Sequence, residues 1–218
     1  MKPLLPLVTL VSAALSILAA PWALALPWLA FVFKPLTTVM VIVFASGRGR
    51  AQPVQRRWVL VGLVLSLAGD VALLWPQQGF LPGLVCFLLA HGAYLVAFTR
   101  DRPLASRPLP FVAYALVAGG ILWLLWPGIP AGLRAPVLMY VVFLAAMGAQ
   151  AAALWLDAPA GSRSRVLALG GALFVTSDAL LATNRFAGPL PLASLWVLST
   201  YWVAQWCIAS WLAPADER

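Results

Sequence analysis

The chain has 218 residues, of which 63% are hydrophobic and 9% charged, and a mean hydropathy of +0.96. Soluble domains carry about 25% charged residues, so a soluble globular protein is excluded. The net charge of +8 does not indicate a nucleic-acid binder, because the basic residues sit in short connections between apolar runs rather than on one solvated face.

The chain opens with Lys2 ahead of an apolar stretch and an A-x-A pattern at Ala23-Leu24-Ala25, the marks of a signal peptide spanning Met1 to Pro27. A first transmembrane helix is the preferred reading, since a multispanning protein needs no removable signal. Apolar runs bounded by charge, proline or glycine then predict eight helices, at Leu4 to Ala20, Leu24 to Ala45, Trp58 to Trp75, Phe80 to Thr99, Pro110 to Trp126, Ala135 to Leu156, Arg165 to Thr183 and Pro191 to Leu212. At about 20 residues per crossing, eight spans leave no room for a soluble domain. The expected fold is all-α, a single transmembrane domain over residues 1–218. Trp22, Trp28, Trp58, Trp75, Trp123, Trp126 and Trp155 fall near helix ends, where interfacial tryptophans anchor. Cys86 and Cys207 lie inside apolar runs and read as small core residues.

Basic residues orient the bundle. Lys2, Arg48, Arg50, Arg56, Arg57, Arg100, Arg102, Arg107, Arg163, Arg165 and Arg218 are eleven of the fourteen, all on one side of the expected topology. Arg134 and Arg185 lie on the other side and Lys34 within a span. Both termini are therefore expected in the cytoplasm. Gly69-Asp70-Val71-Ala72-Leu73 is echoed by Ser177-Asp178-Ala179-Leu180-Leu181 four helices later. An even offset makes the two halves parallel repeats if the echo marks a duplication. Gly119-Gly120 and Gly170-Gly171 are expected to permit close helix packing.

Asp101, Asp157, Asp216 and Glu217 fall in loops or the tail, which leaves Lys34, Asp70, Asp178 and the only histidine, His91, inside apolar helices. A lysine or aspartate at the centre of a spanning helix costs about 2.5–3.5 kcal/mol. Three unpaired charges cost on the order of 8–10 kcal/mol, comparable with the stability of a whole domain. They must face inward and meet partners. One ammonium neutralises one carboxylate, so the pair is expected to divide into an ionised and a protonated member, the arrangement of paired-carboxylate enzymes. A structural ion pair plus a hydrogen-bonded aspartate is the alternative, though buried ion pairs are a poor route to stability. His91 is a weak metal signature without further ligands and otherwise orients a carboxylate or substrate, or fills core. Tyr94, Tyr140, Tyr201, Gln150 and Gln205 either contact a ligand or bond across helices.

The ordered set Lys34-Pro35-Leu36, Gly69-Asp70, His91-x-x-Tyr94, Ser177-Asp178, Arg185-Phe186, Tyr201 and Gln205 resembles the YhhN family of integral membrane proteins, which includes the lysoplasmalogenases. The resemblance implies an eight-helix enzyme of the bacterial inner membrane that hydrolyses the vinyl ether bond of lysoplasmalogen. The products are a fatty aldehyde and glycerophosphoethanolamine or glycerophosphocholine. It implies Asp70 and Asp178 as the catalytic acid and base, Lys34 setting which is which, and His91, Tyr94, Tyr201 and Gln205 orienting them or the substrate. Arg185 would meet the substrate phosphate. Membrane lipids and a lysophospholipid are the implied partners, with no nucleic acid, metal or cofactor. A proton-coupled carrier would use a similar intramembrane aspartate and lysine site, and an intramembrane aspartyl protease ranks third because its G-x-G-D and Tyr-Asp motifs are missing.

Overall fold

The computed structural model describes residues 4–100, 102–159 and 162–214. Lys2, Asp101, Asp216, Glu217 and Arg218 lie outside the described residues. The described residues form eight α-helices: α1 (Leu4–Leu18), α2 (Pro27–Ser46), α3 (Pro53–Ala72), α4 (Phe80–Phe98), α5 (Pro108–Leu125), α6 (Ala131–Leu156), α7 (Ser164–Phe186) and α8 (Ala193–Trp211). A short 3₁₀ turn, Trp126–Gly128, follows α5. Prolines 27, 53 and 108 open α2, α3 and α5, where a missing N–H costs no helical bond and the fixed φ suits the first turn. Four helices begin earlier than the apolar runs, α5 and α7 by a residue or two and α3 and α6 by about a turn. α3 takes Gln55, Arg56 and Arg57 into its first turns, and α6 continues through Pro136 back to Ala131.

Among these helices α2, α4, α5 with its 3₁₀ turn, α6 and α7 are each long and apolar enough to cross a membrane. The protein is a multi-pass membrane protein. Its outer surface fits that solvent: Leu109, Leu116, Trp123 and Leu124 of α5 are among the many large apolar side chains left uncovered, more than a water-soluble surface tolerates. Of the expected interfacial tryptophans, Trp22, Trp28, Trp75, Trp123, Trp126 and Trp155 are exposed.

The two ends of the bundle are built differently. At one end the basic α2–α3 connection is tied to the end of α8: Arg48 donates to the carbonyls of Leu212 (2.9 Å) and Ser210 (3.1 Å), and Gly49 N–H donates to Ala213 (2.7 Å). Arg107 pairs with Asp157 there, joining the start of α5 to the end of α6. At the other end Trp22 donates its indole N–H to Ser194 (2.8 Å).

Helix neighbours repeat with an offset of four. α1 packs on α2, α2 on α3 and α3 on α4, as α5 packs on α6, α6 on α7 and α7 on α8; α2 packs on α8 as α6 packs on α4. The correspondence fails elsewhere: α5 touches α7 and α3 touches α8, whereas α1–α3 and α4–α7 make no extended contact among the described residues. α1 closes against α8, whereas α5 makes no extended contact with α4 among the described residues.

Small residues set the tightest crossings. A methyl built on Gly62 of α3 would lie 2.3 Å from the ring of Tyr94 on α4, and one on Gly170 of α7 would lie 3.0 Å from the Ala204 carbonyl of α8. Gly119 and Gly120 have nothing within 4 Å of such a methyl, so this pair does not mediate helix packing. Tyr94 is fully buried and has no room to retreat. Gly62→Ala should therefore lower the stability of the purified protein by about 1–3 kcal/mol despite alanine's better helix propensity, visible as a drop in Tm in detergent, whereas Gly119→Ala should hold or raise Tm.

Candidate active site

The carboxylate of Asp70, near the end of α3, is met by donors from α2 and α8. Thr38 donates to Oδ2 at 2.6 Å and Tyr201 to the same oxygen at 2.8 Å. Lys34 Nζ lies 3.5 Å from Oδ1 and donates to the Asp70 backbone carbonyl at 3.2 Å. Lys34 and Thr38 are four residues apart on α2, so one helix face supplies both. The network continues outward. Gln205 donates to the Tyr201 hydroxyl (3.2 Å) and accepts from Tyr94 (2.7 Å), while Trp202 donates to Thr38 (3.3 Å). Asp70 is sealed, with 2% of its side chain exposed.

Asp178 of α7 has a separate set of partners from α6 and α4. Tyr140 donates to its Oδ2 at 2.6 Å, and His91 Nε2 lies 3.1 Å from the Tyr140 hydroxyl and 3.4 Å from the same carboxylate oxygen. Because the tyrosine proton points to Asp178, Nε2 must carry a hydrogen to bond the tyrosine oxygen. His91 Nδ1 is buried without a hydrogen-bond partner among the described residues. No basic side chain reaches Asp178 apart from His91, among the described residues. Its side chain is 11% exposed, and it faces a cavity.

The cavity fills the space left where α5 stands off from α4. It encloses about 810 Å³, including space open to the surroundings, and is lined by apolar residues such as Phe80, Phe87, Ile121, Leu122, Val175 and Phe186, with Asp178 and Tyr140 the polar exceptions. Asp70, Lys34 and Tyr201 do not line it. Phe87 and Phe174 form the partition: Phe174 lies 4.8 Å from the His91 ring and 5.6 Å from the Tyr201 ring, and Phe87 lies 5.8 Å from Tyr201.

The expected carboxylate pair thus resolves into two separate carboxylate sites with an aromatic layer between them. Lys34 meets Asp70 as an intramembrane ion pair, and no hydrogen bond or ion pair joins Asp70 to Asp178 among the described residues. His91 and Tyr94 share a helix but serve different sites. Gln150 contacts no ligand space: its amide donates to the carbonyls of Phe98, Arg102 and Pro103 and accepts from Ala105 N–H, pinning the α4–α5 loop. Arg185 stacks over Phe80 at the cavity's end, 5.0 Å from its centroid. Thr38, Ser66 and Phe174 were missed. Thr38 lies four residues after Lys34, and Ser66, 3.5 Å from the Tyr94 hydroxyl, lies four before Asp70, so helical spacing offered a signal for both. Nothing in the pattern singles out Phe174 from other core aromatics. Among the described residues no group of three or more His, Cys, Asp or Glu lies together as a metal site.

The two sites correspond under the four-helix offset. Asp70 on α3 takes donors from α2 and α8; Asp178 on α7 takes them from α6 and α4. Gly62 and Asp70 are eight residues apart, as are Gly170 and Asp178, and each glycine admits the following helix.

Known proteins share this chain's sequence over most of its length. Lysoplasmalogenase TMEM86A from Homo sapiens is 36% identical over 198 residues, covering 88% of this chain and 80% of that protein. Lysoplasmalogenase TMEM86B from Sus scrofa is 35% identical over 184 residues, covering 82% and 73%. A lysoplasmalogenase from Mycobacterium tuberculosis is 30% identical over 164 residues, covering 71% of this chain and 60% of its own length. No solved structure matches. The profile of the YhhN family matches residues 29–212, a stretch that holds both carboxylate sites and every helix lining the cavity, and the chain belongs to that family.

Proposed function

We propose that the protein is a lysoplasmalogenase-like hydrolase that cleaves the vinyl ether of a lysophospholipid inside its membrane-embedded cavity. The observation that carries this reading is a carboxyl group, Asp178, with its tyrosine and histidine partners at the wall of an otherwise apolar cavity, in a chain whose relatives bear that activity in their names. The protein crosses the membrane eight times with both termini in the cytoplasm. The gathering of Arg48, Arg107 and the α8 end at one face of the bundle supports that orientation.

Vinyl ether hydrolysis begins with proton transfer to the alkene carbon remote from oxygen. Asp178 acts as the general acid, with Tyr140 and His91 fixing its Oδ2 so that the other oxygen addresses the cavity. The carbon bonded to oxygen becomes an oxocarbenium ion. Water adds there and returns a proton to the Asp178 carboxylate, and the resulting hemiacetal collapses by passing its hydroxyl proton to the departing glycerol oxygen. The products are a fatty aldehyde and a glycerophosphodiester, and Asp178 ends as it began. Asp70, ionised and fixed by Lys34, Thr38 and Tyr201, supplies a negative charge one aromatic layer from the cation, where low dielectric lets it act at that range.

Purified protein mixed with a lysoplasmalogen should release aldehyde. Asp178→Asn should lower the rate by about 10²–10⁴, the usual contribution of a general acid, with Tm little changed; near-normal turnover would remove Asp178 from the chemistry. Asp70→Asn should behave differently, because it strands the Lys34 ammonium: a loss of about 3–5 kcal/mol is expected, together with slower release. The double variant K34M/D70N should regain much of the Tm without regaining the rate. Recovery of both would make Asp70 purely structural.

A further inference from the structure

Two arginines stand at the same end of the cavity. Arg185 closes α7 and Arg134 lies in the first turn of α6. Each is exposed, and each guanidinium is laid over an aromatic ring: Arg185 over Phe80 at 5.0 Å and Arg134 over Trp126 at 5.1 Å. The two platforms are joined. Phe80 meets Phe186 edge to face at 5.7 Å, and a methyl on Gly128, two residues past Trp126, would lie 1.9 Å from the Phe186 carbonyl. Arg134 also donates from Nε to the carbonyl of Ile129 (3.4 Å), a cavity-lining residue. Phe80, Ile129 and Phe186 all line the cavity, so both cations stand at its rim.

Arg185 stands in the last turn of α7, where the dipole favours a cation, but Arg134 has no such reason. Arg134 sits at a helix N-terminus, where the dipole disfavours a cation. The three described acidic residues are bound elsewhere, Asp70 by Lys34, Asp157 by Arg107 and Asp178 by Tyr140 and His91. What the α6 N-terminus and two guanidiniums together suit is an anion.

Distance identifies which anion. Arg185 follows Asp178 by seven residues on α7, about 10 Å along the axis, and Arg134 precedes Tyr140 by six on the antiparallel α6, about 9 Å. Asp178 and Tyr140 are hydrogen-bonded to each other, so both arginines stand toward the same end of the bundle, offset from this pair by about 9–10 Å measured along the helix axes. In a lysoplasmalogen, seven covalent bonds separate the alkene carbon that takes the proton from phosphorus, an extended span of about 9 Å.

We propose that Arg134 and Arg185 form a phosphate clamp that sets the reacting bond against Asp178 and recognises the phosphodiester without reading the amine beyond it. This rests on the lysophospholipid reading above. The amine goes unread because no described carboxylate lies at this rim to meet an ammonium, and Arg134 already covers Trp126. The clamp makes both arginines positioning residues, felt in substrate binding.

The test separates the clamp from the hydrolysis. A 1-O-alkyl glycerophosphocholine, whose saturated ether resists hydrolysis, is compared with the matching 1-O-alkylglycerol, which lacks phosphate, by equilibrium binding to the purified protein in detergent. Wild type should bind the phospholipid at least about ten-fold more tightly, and Arg134→Gln and Arg185→Gln should each remove most of that difference while leaving alkylglycerol binding unchanged. The ethanolamine and choline forms should bind within about three-fold of each other. Equal binding of the two lipids by wild type, or a difference that survives in both variants, would overturn the clamp; so would a strong preference between the two amines for the claim that the amine is unread. With vinyl ether substrates the variants should raise KM and spare kcat. If the binding difference stands but wild type releases no aldehyde, the error lies in the proposed reaction and the clamp survives.

Discussion

A carboxylate inside an apolar helical bundle must be met by donors, because the surrounding medium offers none. This constraint organises the protein. Asp70 is satisfied in full by Lys34, Thr38 and Tyr201, and the result is a sealed, rigid joint between α2, α3 and α8. Asp178 is satisfied only on one oxygen, by a tyrosine with a histidine behind it, and the result is a joint between α4, α6 and α7 with reactive capacity left over. Lys34, Thr38 and Tyr201 close Asp70 off, whereas Asp178 keeps one oxygen beside the cavity without a hydrogen bond among the described residues. The same residue type in corresponding positions thus meets two different surroundings.

The offset of four helices makes the comparison internal to the molecule. Each aspartate lies on the third helix of its half and takes donors from the second helix of that half and the fourth of the other. The halves differ where the outermost helix lies. α1 closes on α8, and α5 stands away from α4, so that the space closed beside Asp70 is a cavity beside Asp178. Lys34 deepens the asymmetry, since its position on α2 corresponds roughly to that of Tyr140 on α6. A scaffold whose halves pack alike, with one carboxylate site closed and the other left open, is a physically economical way to hold a carboxyl group in a fixed place without filling the cavity beside it.

Much of this was legible in the sequence. Eight helices followed from apolar runs and their breaks, with the largest errors at the starts of α3 and α6, where Arg56, Arg57 and Arg134 looked like loop. Arginines at a helix end cost little when their stems lie along the apolar face and their heads reach water. The intramembrane charges identified themselves by cost. The partition between the two carboxylates did not, because helical periodicity tells which face a residue occupies but not which helix that face meets. Thus Lys34 was known to need a carboxylate, and only the packing of α2 against α3 and α8 chose Asp70. Gln150 shows the same limit: a buried amide reads alike whether it binds substrate or, as here, holds a loop.

The proposed reaction explains why the open site adjoins both lipid and a polar rim. Cleavage divides an amphiphile into a long aldehyde and a small phosphodiester with opposite solubilities. In that reading α5, whose outer face is uncovered and whose Gly119 and Gly120 lack neighbours, is the apolar wall past which an alkenyl chain would enter the cavity and an aldehyde leave it without meeting water. The phosphodiester departs past Arg134 and Arg185, toward the end marked by Trp126. Binding at that rim must be strong enough to place the vinyl ether beside Asp178, yet weak enough to release the glycerophosphodiester once the tail's contribution is gone. Two exposed, aromatic-backed guanidiniums meet that requirement better than a buried clamp, because water competes for their donors as soon as the apolar anchor is lost.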